Sequence, residues 1–300
     1  ATAHVSVTTE GTSTANVGFL SGGNEVKTDA VGISSAGSGH ETSTVITADI
    51  DFSDFSVTGS YEKVEDHVSG DGADEIFNSG EVTATSRSTT LAANVGVSGN
   101  GSALALGRAE VEAHAGGIES GNGDDFVENE GALAASSNAG AALANVAVTA
   151  KAGAAIAGNA AWDGGTKAEA TAAGIDADSG KIETTTVTFE ASPSIAQVVY
   201  EKSEVAATGN DVVLNSGAIL AQAISTAATA TVAVTPKNLA AAVSTSSAES
   251  GSFGIKGGGG DDWIENSGFI TSYADALAAT ASVAVNTGSG VTVAADAVWD

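Results

Sequence analysis

Four aspartates stand in the same local sequence. Asp74 lies in GADEIFNSG (72–80), Asp125 in GDDFVENEG (123–131), Asp211 in GNDVVLNSG (209–217) and Asp262 in GDDWIENSG (260–268). Each follows a glycine by two residues and precedes an aliphatic residue, an asparagine and a second glycine at fixed offsets. Gly-x-Asp suits a hard cation. Glycine allows the positive φ of a tight turn and leaves backbone carbonyls open. The carboxylate adds an anionic oxygen, and calcium takes six to eight such oxygens at about 2.3–2.6 Å. With the residues just upstream included, the candidate metal residues are Gly70, Gly72 and Asp74; Gly121, Gly123, Asp124 and Asp125; Gly209 and Asp211; and Gly258, Gly260, Asp261 and Asp262. One copy supplies too few oxygens, so a Ca2+ site requires copies to meet. Stacked copies would hold like charges a few ångströms apart, a repulsion of roughly 1 kcal/mol per pair even at water's dielectric. A bound cation would turn that repulsion into attraction. The alternative for these residues is a plain Asp/Gly turn between strands.

What must position them is a repeat. The shared asparagines, Asn78, Asn129, Asn215 and Asn266, are spaced by 51, 86 and 51 residues. A weaker anchor at Asp178 splits the long gap into 49 and 37, which makes the third unit the divergent one. Beyond each asparagine, at a constant offset, comes a valine pair: Val95/Val97, Val146/Val148, Val232/Val234 and Val283/Val285. A longer period runs over these. Trp162-Asp163 returns as Trp299-Asp300, GISSAGSGHETSTV (32–45) as GIDADSGKIETTTV (174–187), and Tyr61-Glu62-Lys63 as Tyr200-Glu201-Lys202. His4 to Thr8 matches Asn145 to Thr149. The expected organisation is one continuous array over 1–300, with units of 51, 51 and 37 residues. These form a super-repeat of about 140 residues. Its copies cover 5–145 and 146–282, and a third starts at 283–300. The chain does not begin with Met and ends within a repeat, so it reads as a processed product or a piece of a longer array.

Between landmarks the apolar residues alternate, as in Val283-x-Val285 and Ile219-x-Ala221-x-Ala223, and threonine and valine are frequent. That pattern predicts strands. The alanine-rich runs at 134–144 and 274–281 have high helix propensity. They lack caps and large apolar residues at helical spacing, however, and continue into the Val-x-Val segments. The expected fold is all-β, a parallel β-solenoid resembling a β-helix or β-roll. Stacking at the strand spacing of about 4.8 Å turns equivalent residues into ladders. Ile76, Val127, Val213 and Ile264 form one, and Val82, Leu133, Ile219 and Ile270 another. The asparagines form a third, with amides bonding along the stack. Whether a unit is one wide coil or two narrow ones stays open at this level.

Composition narrows the function. Thirty-seven acidic residues against 10 basic ones give a net charge of −27, the wrong sign for nucleic acid and the right one for cations. Aromatics are 5% and glycines number 38, so the interior must be thin rather than a thick globular core. Without cysteine there are neither disulfides nor thiolate–zinc sites. No apolar run is long enough for a transmembrane helix. The four histidines, His4, His40, His67 and His114, have no metal-binding spacing. The glycine-rich GIKGGGGDD (254–262) lacks the Gly-Lys-Ser/Thr of a phosphate loop.

Read from three residues before the shared glycine, the segments are SGDGADEIF (69–77), SGNGDDFVE (120–128), AATGNDVVL (206–214) and GGGGDDWIE (257–265). They resemble the nonapeptide of the RTX, or haemolysin-type calcium-binding, family: G-G-x-G-x-D-x-(aliphatic)-x. The match is full at 257–265, lacks the first glycine at 69–77 and 120–128, and lacks the first two at 206–214. In that family the nonapeptides run in tandem and share ions between neighbouring turns, whereas here they are about 50 residues apart. The resemblance implies calcium at the turns of a large, secreted, repetitive protein.

The expected function is structural or adhesive, at a cell surface or outside the cell and possible as a fibre, with end-to-end or lateral self-association. Contact with a cell surface or polysaccharide would fit, and catalysis is not expected. The alternatives are a β-helix polysaccharide lyase or epimerase, which needs a non-repeated acidic cluster with basic partners, and an ice- or carbohydrate-binding module, which needs a flat threonine or aromatic face.

Overall fold

A computed structural model describes residues 2–8, 13–17, 24–35, 41–51, 56–66, 72–159, 165–179, 181–192, 195–206 and 208–299. Gly70, His40, His67 and Trp162-Asp163 lie outside these. The described residues form strands and no helix. The chain opens with β1 (Thr2–Thr8), β2 (Ser13–Val17) and β3 (Asn24–Ser34), followed by β4 (Glu41–Asp51) and β5 (Ser56–Asp66). Next come β6 (Glu75–Asn78), β7 (Val82–Ser98), β8 (Ala103–Gly107) and β9 (Ala109–Glu119). The same sequence of strands recurs as β10 (Phe126–Asn129), β11 (Leu133–Thr149), β12 (Ala155–Asn159) and β13 (Thr166–Asp176), followed by β14 (Lys181–Ser192) and β15 (Ile195–Ala206). A further round is β16 (Val212–Asn215), β17 (Ile219–Thr235) and β18 (Asn238–Lys256), and the last is β19 (Trp263–Asn266), β20 (Ile270–Asn286) and β21 (Gly290–Trp299).

Each round pairs in parallel with the next. The long strands form the sheet β1-β7-β11-β17-β20, and the four-residue strands form β6-β10-β16-β19. A third parallel sheet holds β2, β8, β12, β3, β9, β13, β18 and β21, with the first half of β18 on β12 and β21 and its second half on β13. The register follows the repeat. Val127 faces Ile76 and Val213, Leu133 faces Val82 and Ile219, and Val146 faces Val95 and Val232. His4 faces Asn94, the equivalent of Asn145. Neighbouring partners are 51 residues apart, so a unit is one wide circuit rather than two narrow ones.

The expected 37-residue unit is not a circuit. Asn129 bonds directly to Asn215 across 86 residues, with no parallel layer between. The extra residues leave the stack as an antiparallel hairpin, β14 on β15, and β4 and β5 form another. The two hairpins join through β14 and β5 into a four-stranded antiparallel sheet, β15-β14-β5-β4. Period-two alternation is the same in parallel and antiparallel strands, so sequence pattern does not separate a hairpin from a coil. The spacing explains the longer period. Two parallel layers rise by about 9.6 Å, the width of one two-stranded hairpin. A hairpin from every second circuit therefore keeps pace with the stack.

The interior is thin. Between the long sheet and the third sheet the buried residues are mainly alanine, including Ala113, Ala135, Ala139, Ala170 and Ala223. Inward hydroxyls reach across to the opposite backbone: Ser137 Oγ donates to the Ala113 carbonyl at 2.7 Å, and Ser252 Oγ to Ala221 at 2.9 Å. Larger side chains are few there, Val111 and Leu143 among them, and filling the layer with such residues would force the sheets apart and break these bonds. That is why the alanine runs at 134–144 and 274–281 are strands despite their helix propensity. The larger residues gather where the four-residue strands close the circuit, in a cluster of Ile76, Ile118, Val127, Leu133, Ile175, Val213 and Ile219.

Candidate metal centre

The aspartate segments form the corner between the third sheet and the four-residue strands. In two circuits that corner is a tight glycine turn, with φ of 103° at Gly121, 131° at Gly123, 97° at Gly258 and 131° at Gly260. A Cβ on Gly123 would stand 2.5 Å from the Gly72 carbonyl oxygen of the adjacent circuit. Gly123→Ala should therefore cost about 2–3 kcal/mol. Gly140→Ala, whose Cβ would meet only the Thr89 side chain at 3.7 Å, should be within about 0.5 kcal/mol of neutral. Urea titration of the two variants checks the contrast.

The circuit with the β14–β15 hairpin builds its corner differently. There the chain leaves at Asp178–Ser179 and returns at Thr208, and β15 ends at Ala206. At Ala206, the first position of AATGNDVVL, the chain is still strand, so no turn glycine is needed there; Ala207 lies outside the described residues.

Stacking brings the four repeated aspartates together. The Asp74 N–H donates to Asp125 Oδ1 at 2.9 Å, the Asp125 N–H to Asp211 Oδ1 at 2.9 Å, and the Asp211 N–H to Asp262 Oδ1 at 3.1 Å. The two central members are almost fully buried, Asp125 at 2% and Asp211 at 1% exposure. One oxygen of each takes part in the column. The other, Asp125 Oδ2 or Asp211 Oδ2, is buried with no hydrogen-bond partner.

Asp178 joins them. Its Oδ2 accepts from the N–H of Gly259 at 2.7 Å and of Gly209 at 3.2 Å, tying two circuits together, and its Oδ1 is buried and unpartnered. Gly258 lies directly against its side chain. The sequence reading placed Asp178 only as a weak anchor of the repeat. Its function-related signal was position: it stands where the other circuits carry Gly121 and Gly258, which is visible only once the circuits are aligned.

The electrostatics follow from burial. Loss of water pushes the Asp211 carboxyl up to about 7; the Asp125 N–H opposes this, and the charges of Asp178, Asp125 and Asp262 add to it. Burial likewise raises Asp125 and Asp178 above the ordinary carboxylate range. The Asp74 N–H and the Ser120 hydroxyl oppose this at Asp125, where the charges of Asp74 and Asp124 add to it; the Gly259 and Gly209 N–H groups oppose it at Asp178, where Asp262 and Asp176 add to it. Asp124 and Asp261 belong to a separate, exposed column. Asp124 Oδ1 accepts from the Asn210 N–H at 2.9 Å and side-chain amide at 3.1 Å, and Asn210 Oδ1 accepts from the Asp261 N–H at 2.9 Å.

Below the corner the asparagines bond as a ladder. Asn78 donates to Asn129 at 2.7 Å, Asn129 to Asn215 at 2.6 Å and Asn215 to Asn266 at 2.6 Å. Among the described residues no group of three or more His, Asp or Glu side chains converges as a ready metal cage. The corner offers instead a few unpartnered carboxylate oxygens beside glycine backbone, a donor set of oxygen alone, which is the type hard cations take. No known protein family, curated protein or solved structure matches the chain.

Proposed function

We propose that this chain is a stretch of a parallel β-solenoid with a structural or adhesive role at a cell surface or outside the cell, and that calcium binds at its aspartate corner. The observation that carries the reading is the buried Asp211, which has an oxygen with no partner, stacked on the buried Asp125, whose carboxylate has the Ser120 hydroxyl near it. Buried charge without compensation is costly. A divalent cation held by Asp211 together with Asp125 or Asp178, and completed by carbonyls of the glycine corner and by water, would neutralise it and pin adjacent circuits. The chemistry it supplies is charge neutralisation and cross-linking. Weak sites of this kind fill where calcium is near millimolar, as outside cells. The resemblance of the corner to the RTX nonapeptide agrees with this. Repetition of the corner aspartate, as Asp74, Asp125, Asp211 and Asp262, fits a scaffold better than an enzyme, whose site is made once. A scaffold of this type would associate with itself, end to end through open strand edges or side by side, and would meet a cell surface or polysaccharide through its outer faces.

The test is thermal unfolding with a chelator and with calcium. Saturating calcium should raise the melting temperature by several degrees, magnesium less, and calorimetry should register binding that Asp125→Asn weakens. Melting curves that superimpose with and without chelator, together with no heat of binding, would remove calcium from the account. Turnover of a uronic-acid polymer would replace the scaffold with an enzyme.

A further inference from the structure

The last stretch of the long sheet has its polarity turned inside out. On β7 the residues facing the interior there are Asn94, Gly96 and Ser98, all buried, while Val95 and Val97 face outward. Inside, Asn94 donates to Asn145 at 2.7 Å and Thr149 to Thr235 at 2.8 Å. Outside, from Leu91 to Val97 and at the paired positions of β11, β17 and β20, every residue is leucine, alanine or valine. Val7 of β1 extends the surface and is 67% exposed. A register slip of one residue would bury the valines and expose the polar set, yet all five strands hold the opposite register. This chain's own core does not use those valines. The surface is also free of charge, in a protein with 37 acidic residues.

We infer that this face is a lateral interface between two copies of the chain, packed sheet on sheet. It deepens the self-association in the reading above and does not depend on calcium. The face spans five strands at about 4.8 Å and four outward positions at about 6.8 Å, so roughly 600 Å² per copy. Two copies would bury about 1,200 Å², the lower end of specific interfaces, and each face of roughly 600 Å² is at the upper end of the largest apolar patch on an ordinary monomer. A flat lattice of small side chains is best matched by another lattice of the same pitch, and aligned sheets pack about 10 Å apart. A twofold axis satisfies both copies at once. The charge of −27 opposes their approach at long range, so salt should strengthen the contact. A basic partner on the same face would respond to salt in the opposite sense.

Sedimentation velocity on the 300-residue chain tests this, at loading concentrations up to about 100 µM, in chelator and in calcium, at low and high salt. The expected result is a dimer in both, tightened at high salt. Val146→Asp with Val232→Asp should weaken it at least tenfold. Val146→Thr with Val232→Thr, which keeps strand propensity and shape, should weaken it severalfold with an unchanged circular dichroism spectrum. A monomer under every condition overturns the inference. So does association that both threonine substitutions leave unaltered, since that would be end to end. A dimer that persists in chelator while calcium fails to bind would separate this inference from the cation site.

Discussion

Asp211→Asn should stabilise the calcium-free protein at pH 8 by about 2 kcal/mol and flatten its dependence on pH. The native carboxyl has its pKa raised to about 7, by burial first and by Asp178, Asp125 and Asp262 after it. The folded state therefore holds a proton that the unfolded chain, titrating near 3.8, releases earlier. Below pH 4 both states are protonated and the group is neutral to stability. Between about pH 4 and 7 only the unfolded chain ionises, so stability falls as pH rises, by about 4 kcal/mol in all. Above pH 7 the loss is complete. Asp125 and Asp178 are raised by burial and act in the same direction.

His114 also acts in that direction. Burial alone would lower it, but Glu119, 2.6 Å away, with Asp29 and Asp176, raises it above its usual value, so its contribution is lost as pH rises through that value. Asparagine at 211 keeps the acceptor for the Asp125 N–H and removes the charge. It introduces amide protons where Oδ2 had no partner, which offsets part of the gain by about 1–2 kcal/mol. Urea denaturation at pH 5 and pH 8 in chelator measures this. If native protein is more stable at pH 8 than at pH 5, or if Asp211→Asn titrates as the native chain does, the buried-charge account fails. Calcium should invert the comparison. The ion needs the ionised carboxylate, so its stabilisation should grow as pH rises through about 7, and Asp211→Asn should forfeit it.

Asn129→Ala should be the most damaging single change in the ladder, at about 4 kcal/mol. Asn129 is fully buried. It accepts from Asn78 at 2.7 Å and donates to Asn215 at 2.6 Å and to the Gly131 carbonyl at 3.1 Å. Each lost bond costs about 1 kcal/mol, and stranded buried partners cost more. The vacated volume adds to the penalty. Asn266→Ala removes the same kind of contact at the exposed last circuit, where Asn266 accepts from Asn215 at 2.6 Å, and water can replace it. That change should cost under about 1 kcal/mol. Equilibrium denaturation of both variants gives the ratio, and equal costs would mean that the ladder draws nothing from burial.

Period and ladders could be read before any coordinates because parallel stacking sets each residue on its own equivalent. Asn78, Asn129, Asn215 and Asn266 had to share a column once their spacing was known, and so did Ile76, Val127, Val213 and Ile264. The aspartates of the corner followed for the same reason. The hairpins did not, because β14 and β15 alternate as any strand does, and their antiparallel pairing is settled by β5, over 100 residues upstream. Asp178 stayed out of the candidate set because its depth comes from Gly209 and Gly259 on other circuits. The valine pairs were correctly placed in register, but alternation defines two faces without saying which is inside. The sequence by itself determined what stacks on what, since an in-register repeat admits one alignment. Tertiary structure decided which face is buried. The two sheets approach closely enough for Ser137 to reach the Ala113 backbone, and at that separation most inward positions are alanine or hydroxyl side chains, with Val111 and Leu143 as larger exceptions, while the Val-x-Val pairs stand outside.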